Sequence, residues 1–273
     1  MKTQNRFRFS VLAGAALLAA CGGGGDDPVA VVPEEIRAQN SRVFAPATPT
    51  ATTFDAMAGV AAGTNRWAGV LNGAAYRVEV PATGWNGKLV MYAHGFRGEG
   101  SVLTVSDPSI RRYLIENGYA WAASSYSTNF YDVRAGVEDT NALALAFKNI
   151  AAANGRVLAA PERTYITGHS MGGHIAGAAI EQEAMATAKN KVRYHGAVPM
   201  CGVMGDAELF NRFAGMQVAA QALAGVPSYP TNKWSEIRNS VTANLFTTFP
   251  SVPTAQGAKA TLNKPLFHRP TPT

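Results

Sequence analysis

The chain has 273 residues, of which 47% are hydrophobic and 15% are charged, a balance that excludes a disordered or fibrous protein. Its two cysteines are too few for a disulfide scaffold or a cysteine zinc cluster. The formal charge of +6 falls to +3 if residues 1–20 are removed, because that segment holds Lys2, Arg6 and Arg8 and no acidic residue. No other cluster of basic residues replaces them, so we expect no nucleic-acid partner.

The first twenty residues are typical of a secretory signal, with a basic start and an apolar run, Val11–Ala20. That run has about half the ~20 residues that a membrane-spanning helix needs. It ends in Leu18-Ala19-Ala20-Cys21, which resembles a bacterial lipobox. The resemblance implies an exported chain held at the cell envelope, in the outer membrane or periplasm, by a lipid such as palmitate on Cys21. An ordinary signal peptide that happens to end near a cysteine is the alternative.

Residues 22–60 are rich in Gly, Pro, Ala and Thr, and they predict a tether followed by a surface arm. Asn72-Gly73 separates the strand-like runs 66–71 and 75–81, and this pair tolerates the positive φ angles of a tight hairpin. A second Asn-Gly pair precedes the apolar run 88–93. The front of the domain is therefore predicted to be an antiparallel meander.

From residue 107 onward the pattern alternates between helices and strands. Asp107-Pro108 predicts the cap and first turn of a helix that ends at Glu116. The segments that follow predict strands at 119–125, 164–167 and 193–200 and helices at 133–153 and 171–189. Such alternation favours an α/β fold with a mainly parallel sheet covered on both faces.

The last part of the chain carries a weaker signal, since seven of the fifteen prolines lie in residues 227–273. A helix is predicted at 207–223 and a strand at 243–249. Four apolar residues here form either a lid over the site or a cover for the sheet, namely Trp234, Leu245, Phe246 and Phe249. The predicted organisation is a signal peptide at 1–20, a lipidated tether and arm at 21–60, an α/β core at 61–205 and a lid-like or incomplete segment at 206–273.

The stretch that indicates chemistry is Gly168-His169-Ser170-Met171-Gly172, which joins a predicted strand directly to a predicted helix. This arrangement forces Ser170 onto a sharp turn, and a Cβ at Gly168 or Gly172 would collide with neighbouring backbone. The hydroxyl then lies at a helix N-terminus, where free N–H groups favour a developing negative charge. The alternative is a glycine-rich turn that serves only packing.

A second element agrees with the first, because the apolar run 88–93 ends in His94-Gly95-Phe96. This is the usual place for one of the two donors of an oxyanion hole. The backbone N–H groups of Phe96 and Met171 are therefore predicted to hold the oxyanion of a tetrahedral intermediate.

With these two elements in register, residues of about 65–205 resemble the α/β-hydrolase family of serine esterases, lipases and related peptidases. The resemblance rests on His94, Gly95 and Phe96 and on Gly168, His169, Ser170, Met171, Gly172 and Gly173. It implies a nucleophilic Ser170, a histidine base, an orienting carboxylate, and a small-molecule or lipid-like ester substrate. It implies no cofactor and no metal.

The acid and the base are harder to assign. The resemblance implies the order serine, acid, histidine, and Asp206 and His268 are the leading candidates in it. The alternatives are a helix N-cap for Asp206 and a solvated tail histidine for His268. Few residues after Gly202 resemble the last two strands of the family, so the sheet is predicted to lack them. A truncated hydrolase is favoured over a compact variant and over a non-catalytic lipoprotein with a binding role.

Two further predictions concern side chains near the expected site. Cys201 lies in an apolar run and is predicted to be a small buried hydrophobe. Tyr126, Phe130 and Tyr131 follow a predicted strand, and they either line a substrate pocket or form a packed aromatic loop.

Overall fold

The computed structural model describes residues 42–46, 53–61, 63–226, 233–248 and 261–262. The predictions on Cys21, Phe249 and His268 therefore lie outside the described residues. In chain order the elements are β1 (Ala45–Pro46), β2 (Thr64–Leu71), β3 (Ala74–Pro81), β4 (Lys88–Ala93), β5 (Val102–Leu103), α1 (Arg111–Glu116), β6 (Ala120–Ser124), α2 (Val133–Ala153), β7 (Arg163–His169), α3 (Met171–Ala178), α4 (Gln182–Thr187), β8 (Gly196–Met200), α5 (Asp206–Leu223), α6 (Trp234–Leu245), β9 (Phe246–Thr248) and β10 (Thr261–Leu262). Across these ranges, no helix combines the length and the apolar character that crossing a membrane requires.

The main sheet has six strands in the order β2-β3-β6-β4-β7-β8. The pairs β6-β4, β4-β7 and β7-β8 are parallel, whereas β2-β3 and β3-β6 are antiparallel. Strand β1 pairs in parallel with β5, and β9 pairs antiparallel with β10, in two small separate sheets. The predicted α/β class with a mainly parallel sheet and an antiparallel front is confirmed.

The antiparallel front is the hairpin β2-β3, in which Leu71 is paired with Ala74. Asn72 and Gly73 make the turn with φ angles of 51° and 86°, as the Asn-Gly pair predicts. Strand β4 differs from the expectation, because it is not the third strand of a meander. It pairs in parallel with β6 and β7 in the interior of the sheet, where a run that is apolar on both faces can be buried.

The two faces of the sheet carry two separate hydrophobic clusters, and side chains alternate between them along each strand. In β4, Leu89 and Met91 pack in the larger cluster with helices α2 and α3, whereas Val90 and Tyr92 face the other way. Helix α1 covers that second face through Leu114 and Ile115. Both faces are thus covered, as expected for a parallel sheet.

Three predicted element boundaries are wrong. Helix α1 begins at Arg111, because Asp107 does not cap it and instead accepts hydrogen bonds from Arg77 and Arg111. The predicted helix 171–189 is two helices, since Ile180 and Glu181 donate to carbonyls three residues back and Glu181 is extended. Residues 243–245 of the predicted strand belong to helix α6, and Phe246–Thr248 form strand β9.

A buried ion pair fastens α1 to the sheet. Glu79 on β3 is fully buried and accepts from Arg111 Nε at 2.7 Å and from Arg111 Nη2 at 3.1 Å. The Thr64 hydroxyl and the Trp121 indole N–H also donate to the carboxylate, at 2.7 and 2.8 Å. Four donors compensate for the burial of this charge.

Candidate active site

Ser170 is the single residue between the end of β7 and the start of α3, and its backbone has φ 57° and ψ −125°. Its N–H donates to the Met200 carbonyl at 3.0 Å, and its own carbonyl accepts from the His174 N–H at 3.1 Å. The turn is therefore held by the end of the next strand and by the first turn of the helix. A non-glycine residue in this backbone region stores strain, on the order of 1–3 kcal/mol. Taken as a whole residue, Ser170 is half-buried.

The glycines around Ser170 allow backbone segments to approach each other closely. A Cβ on Gly168 would collide with the carbonyl oxygens of Ala93 and Gly172. A Cβ on Gly172 would collide with the Ala93 carbonyl and lie 2.7 Å from the His94 carbonyl oxygen. Helix α3 thus packs directly against the end of β4, as the Gly-x-Ser-x-Gly pattern predicts. Gly173 has the same role at β8, because a Cβ there would lie 2.6 Å from the Met200 carbonyl oxygen.

The His94-Gly95 loop lies beside the serine. A Cβ placed on Gly95 would be 3.4 Å from Ser170 Cβ and 3.3 Å from the His169 carbonyl oxygen. Phe96 follows with 49% of its surface exposed, whereas Met171 is buried at the start of α3. In the part of the chain that the structure describes, neither the Phe96 nor the Met171 N–H donates to a backbone or side-chain acceptor. The structure therefore brings the two predicted donor residues to the same edge of the sheet as Ser170.

Behind this loop, His94 is buried and stacks on Tyr126, with ring centroids 4.1 Å apart and an interplanar angle of 25°. Its Nδ1 is 2.6 Å from the Gly95 carbonyl oxygen, and its Nε2 is 3.1 Å from the Ser125 carbonyl oxygen. Burial lowers the pKa of His94 to about 4, so the ring is neutral at neutral pH. Burial likewise raises the pKa of the Tyr126 phenol well above its ordinary value.

Two more histidines flank the turn, and each contacts a tyrosine. His169 Nδ1 lies 2.8 Å from the Tyr92 hydroxyl, and His174 Nδ1 lies 3.0 Å from the Tyr131 hydroxyl. Burial raises the pKa of both phenols, so they remain protonated as hydrogen-bond donors at neutral pH. Tyr92 is not predicted from the sequence, because its contact with His169 depends on the pairing of β4 with β7.

The side chain of Asp206, the predicted acid, lies outside what the structure describes. Asp206 is the first residue of α5, and Gly205, not Asp206, is the N-cap of that helix. His268 lies outside the described residues. Each described histidine has a ring nitrogen that hydrogen-bonds a residue other than Ser170. His195 precedes β8, at the end of the strand opposite to Ser170, and its Nδ1 accepts from the Thr164 N–H.

The prediction that Cys201 is buried is wrong, because its side chain is exposed. Cys201 follows β8 with a φ of 48°. Strand β8 is the last strand of the six-stranded sheet, and Val198 on it is 60% exposed. An apolar run at a sheet edge does not bury its residues as an interior run does.

The aromatic residues after β6 are each packed against another ring. Tyr126 is buried on His94, and Phe130 lies against Phe44 and under the Arg42 guanidinium. Tyr131 is half-buried and contacts Phe210 of α5 edge to face at 5.2 Å. Trp234, Leu245 and Phe246, which are the described residues of the predicted lid or cover, pack in a small cluster with Ala224 and Val241.

Among the described residues, no group of three or more His, Cys, Asp or Glu side chains is arranged to hold a metal ion.

No protein-family model matches the chain, and no curated protein matches it. Solved structures that resemble part of it include esterase B from Lactobacillus rhamnosis with a C6-C4 inhibitor, at 17% identity and a TM-score of 0.34, covering 62% of this chain and 51% of that one. A second is brefeldin A esterase, described as a bacterial homologue of human hormone sensitive lipase, at 20% identity and a TM-score of 0.31, covering 47% of this chain and 38% of that one. A third is described as an arylesterase, at 18% identity and a TM-score of 0.32, covering 52% of this chain and 45% of that one. The chain thus spans about two fifths to one half of the length of these proteins.

Proposed function

We propose that this chain is a serine hydrolase of the α/β-hydrolase type that cleaves carboxylic esters through an acyl-enzyme on Ser170. The observation that carries the proposal is the placement of a half-buried serine on a strained strand-to-helix turn. The loop beside it is so close that a Cβ on Gly95 would lie 3.4 Å from Ser170 Cβ. A rigid turn of this kind holds a nucleophile at a helix N-terminus, where negative charge is stabilised.

The proposed reaction has two steps. Ser170 Oγ forms a bond to the ester carbonyl carbon while a histidine base takes its proton, and the N–H groups of Phe96 and Met171 stabilise the oxyanion. The carbon–oxygen bond to the alcohol then breaks, and the base returns the proton to the departing alcohol. A water molecule then attacks the acyl-enzyme in the same way, and the carboxylic acid product leaves Ser170. In this proposal Asp206 and His268 remain the candidates for the acid and the base.

The substrate and the location belong to the same proposal. A small-molecule or lipid-like ester fits the chemistry of the site, and no cofactor is needed for it. The lipobox-like segment supports export and a lipid anchor on Cys21, which would hold the domain at a membrane surface of the cell envelope.

A fluorophosphonate probe tests the proposal directly, because it reacts covalently with an activated serine. We expect the purified full chain to be labelled at Ser170 and to hydrolyse p-nitrophenyl butyrate. The Ser170→Ala variant should lose both properties, and the surface variant Ser101→Ala should keep them. A wild-type chain that folds, resists the probe and leaves the ester intact would overturn the proposal.

The second candidate is a non-catalytic lipoprotein that binds a ligand through the hydrolase fold. The observation in its favour is that none of the four histidines that the structure describes hydrogen-bonds the Ser170 hydroxyl. This candidate predicts that Ser170→Ala leaves the biological role intact. In an active preparation, His268→Ala separates the remaining versions, since full residual activity would exclude His268 as the base.

A further inference from the structure

The peptide between Gly95 and Phe96 carries the proposed oxyanion donor at one end and a fixed carbonyl at the other. His94 Nδ1 lies 2.6 Å from the Gly95 carbonyl oxygen, within the range of a strong hydrogen bond. In a trans peptide the C=O and the N–H point in opposite directions across one plane. Whatever fixes the Gly95 carbonyl therefore also fixes the direction of the Phe96 N–H.

The proton on the His94 ring is assigned from its two carbonyl neighbours. Nε2 lies 3.1 Å from the Ser125 carbonyl oxygen, so both nitrogens face an acceptor. A neutral imidazole has only one N–H, and placing the proton on Nε2 would set the Nδ1 lone pair against an oxygen at the shorter distance. The proton therefore belongs on Nδ1, which donates to the Gly95 carbonyl.

Tyr126 holds the peptide on the other side of Gly95. Its hydroxyl donates to the His94 carbonyl at 2.9 Å, while its ring stacks on the imidazole. Tyr126 is itself fixed, because its N–H donates to Ser124 Oγ at 3.0 Å and its carbonyl accepts from Ser125 Oγ at 2.7 Å. Both peptides that flank Gly95 are thus held, which matters because glycine alone leaves their orientation free.

We infer that His94 and Tyr126 act as positioning residues that set the direction of the Phe96 N–H and so build one half of the oxyanion hole. The inference rests on the proposed hydrolase function and deepens it. Neither residue touches the substrate in this scheme, since both lie behind the loop and are buried. Each acts through the geometry of the Gly95-Phe96 peptide.

The kinetic test compares His94→Ala, His94→Asn and Tyr126→Phe with the wild type. His94→Ala should lower kcat by about tenfold to a hundredfold, part of the ~10²–10³ that removal of a whole oxyanion donor costs, with KM changed less than twofold. His94→Asn should recover much of this loss, because the asparagine amide can replace Nδ1 as the donor. Tyr126→Phe keeps the stacked ring and should lower kcat by a smaller factor. Full kcat in His94→Ala would overturn the inference.

The matched control is Tyr194→Phe, which removes the hydroxyl of a partly buried tyrosine that donates to Asn141 Oδ1 at 2.7 Å and lies two residues before β8. It should leave kcat unchanged. Titration with a fluorophosphonate gives the active fraction of each preparation, and thermal unfolding shows which variants are folded. If Tyr194→Phe lowers kcat as much as Tyr126→Phe does, general destabilisation explains both losses and the inference is contradicted.

A spectroscopic test separates the inference from the proposed function. Nitrogen-15 NMR of histidine-labelled wild type should show one ring with its proton on Nδ1 that does not titrate above pH 5 and that disappears in His94→Asn. The Phe96 amide should shift in His94→Ala and exchange faster with solvent. If the wild type resists the fluorophosphonate while these signals are present, the hydrolase proposal fails and the positioning of the amide stands. A proton found on Nε2 of His94 refutes the inference whether or not the chain is active.

Discussion

Replacing Arg111 with methionine removes the charged partner of a carboxylate that has no access to solvent. The guanidinium binds both oxygens of Glu79, and its Nη1 also donates to Asp107 at 2.9 Å. Burial opposes the positive charge of Arg111, but the two carboxylates outweigh it and raise the pKa of Arg111. Among the described residues, Glu79 then keeps the Thr64 hydroxyl and the Trp121 indole as its side-chain donors.

The expected loss of stability follows from this geometry. Breaking a buried ion pair by removing one partner costs about 3–5 kcal/mol, because the remaining charge stays desolvated. Since two neutral donors remain on Glu79, we expect about 3 kcal/mol for Arg111→Met, which is a fall in Tm of roughly 6–12 °C for a domain of this size. Removing both charges in Glu79→Leu with Arg111→Met should cost at least about 2 kcal/mol less than the sum of the two single substitutions.

The neighbouring arginine provides the matched control. Arg112 pairs with Glu116 at 3.3 Å on the same helix, but both side chains are about half exposed. Exposed pairs of this kind contribute about 0–1 kcal/mol, so Arg112→Met should be nearly neutral. Urea unfolding followed by circular dichroism measures both variants. If Arg111→Met and Arg112→Met lose the same free energy within about 0.5 kcal/mol, the reasoning on burial is refuted.

Three other predictions follow from contacts near the site. Gly172→Ala should destabilise the chain by at least about 2 kcal/mol in urea unfolding, because its methyl group would collide with the Ala93 carbonyl. Gly215→Ala, in an open part of α5, should stabilise the chain by about 0.5–1 kcal/mol. Equal effects of the two substitutions would contradict the packing argument. Cys201 should react with a thiol reagent in the native chain, and a thiol that reacts only after unfolding would contradict its exposure. The folded pKa of His94, about 4, lies below its unfolded value, so the unfolded state binds more protons between about pH 4 and 6.5 and stability should fall by about 3 kcal/mol as the pH is lowered through that window. His94→Asn should flatten this part of the curve, and an unchanged slope would show that other groups cause it.

The parts of the fold that the sequence predicts well are those with a local cause. Asn72-Gly73 determines its hairpin because two consecutive residues must both accept positive φ, and helix α2 has the predicted bounds, Val133–Ala153. Asp107 shows the limit of local reasoning. It has the composition of a helix cap, but two arginines, one of them thirty positions away on β3, bind its carboxylate instead.

The candidate site also combines local features, which the sequence predicts, with contacts between distant segments, which it does not. The Ser170 turn is a local feature, and its glycines are explained by contacts that the motif itself implies. The pairs behind it are not local, because Tyr126 meets His94 only through the neighbouring positions of β4 and β6, and Tyr92 meets His169 only through β4 and β7. The exposure of Cys201 depends on β8 being the last strand of the sheet, which periodicity along one segment does not reveal.

Backbone strain in this domain is concentrated at the carboxyl ends of the parallel strands. Of the five non-glycine residues with positive φ among the described residues, Tyr126, Ser170 and Cys201 each follow one of these strands, β6, β7 and β8. Strand β4 lies between β6 and β7, so all three positions are at the same edge of the parallel part of the sheet. For Ser170 and Cys201 the glycine contacts supply a cause, because helix α3 lies so close to the ends of β4 and β8 that the chain turns sharply there. The same close packing holds the Ser170 turn and the His94-Gly95 loop against each other, so the strain at this edge and the proposed catalytic geometry have one physical origin.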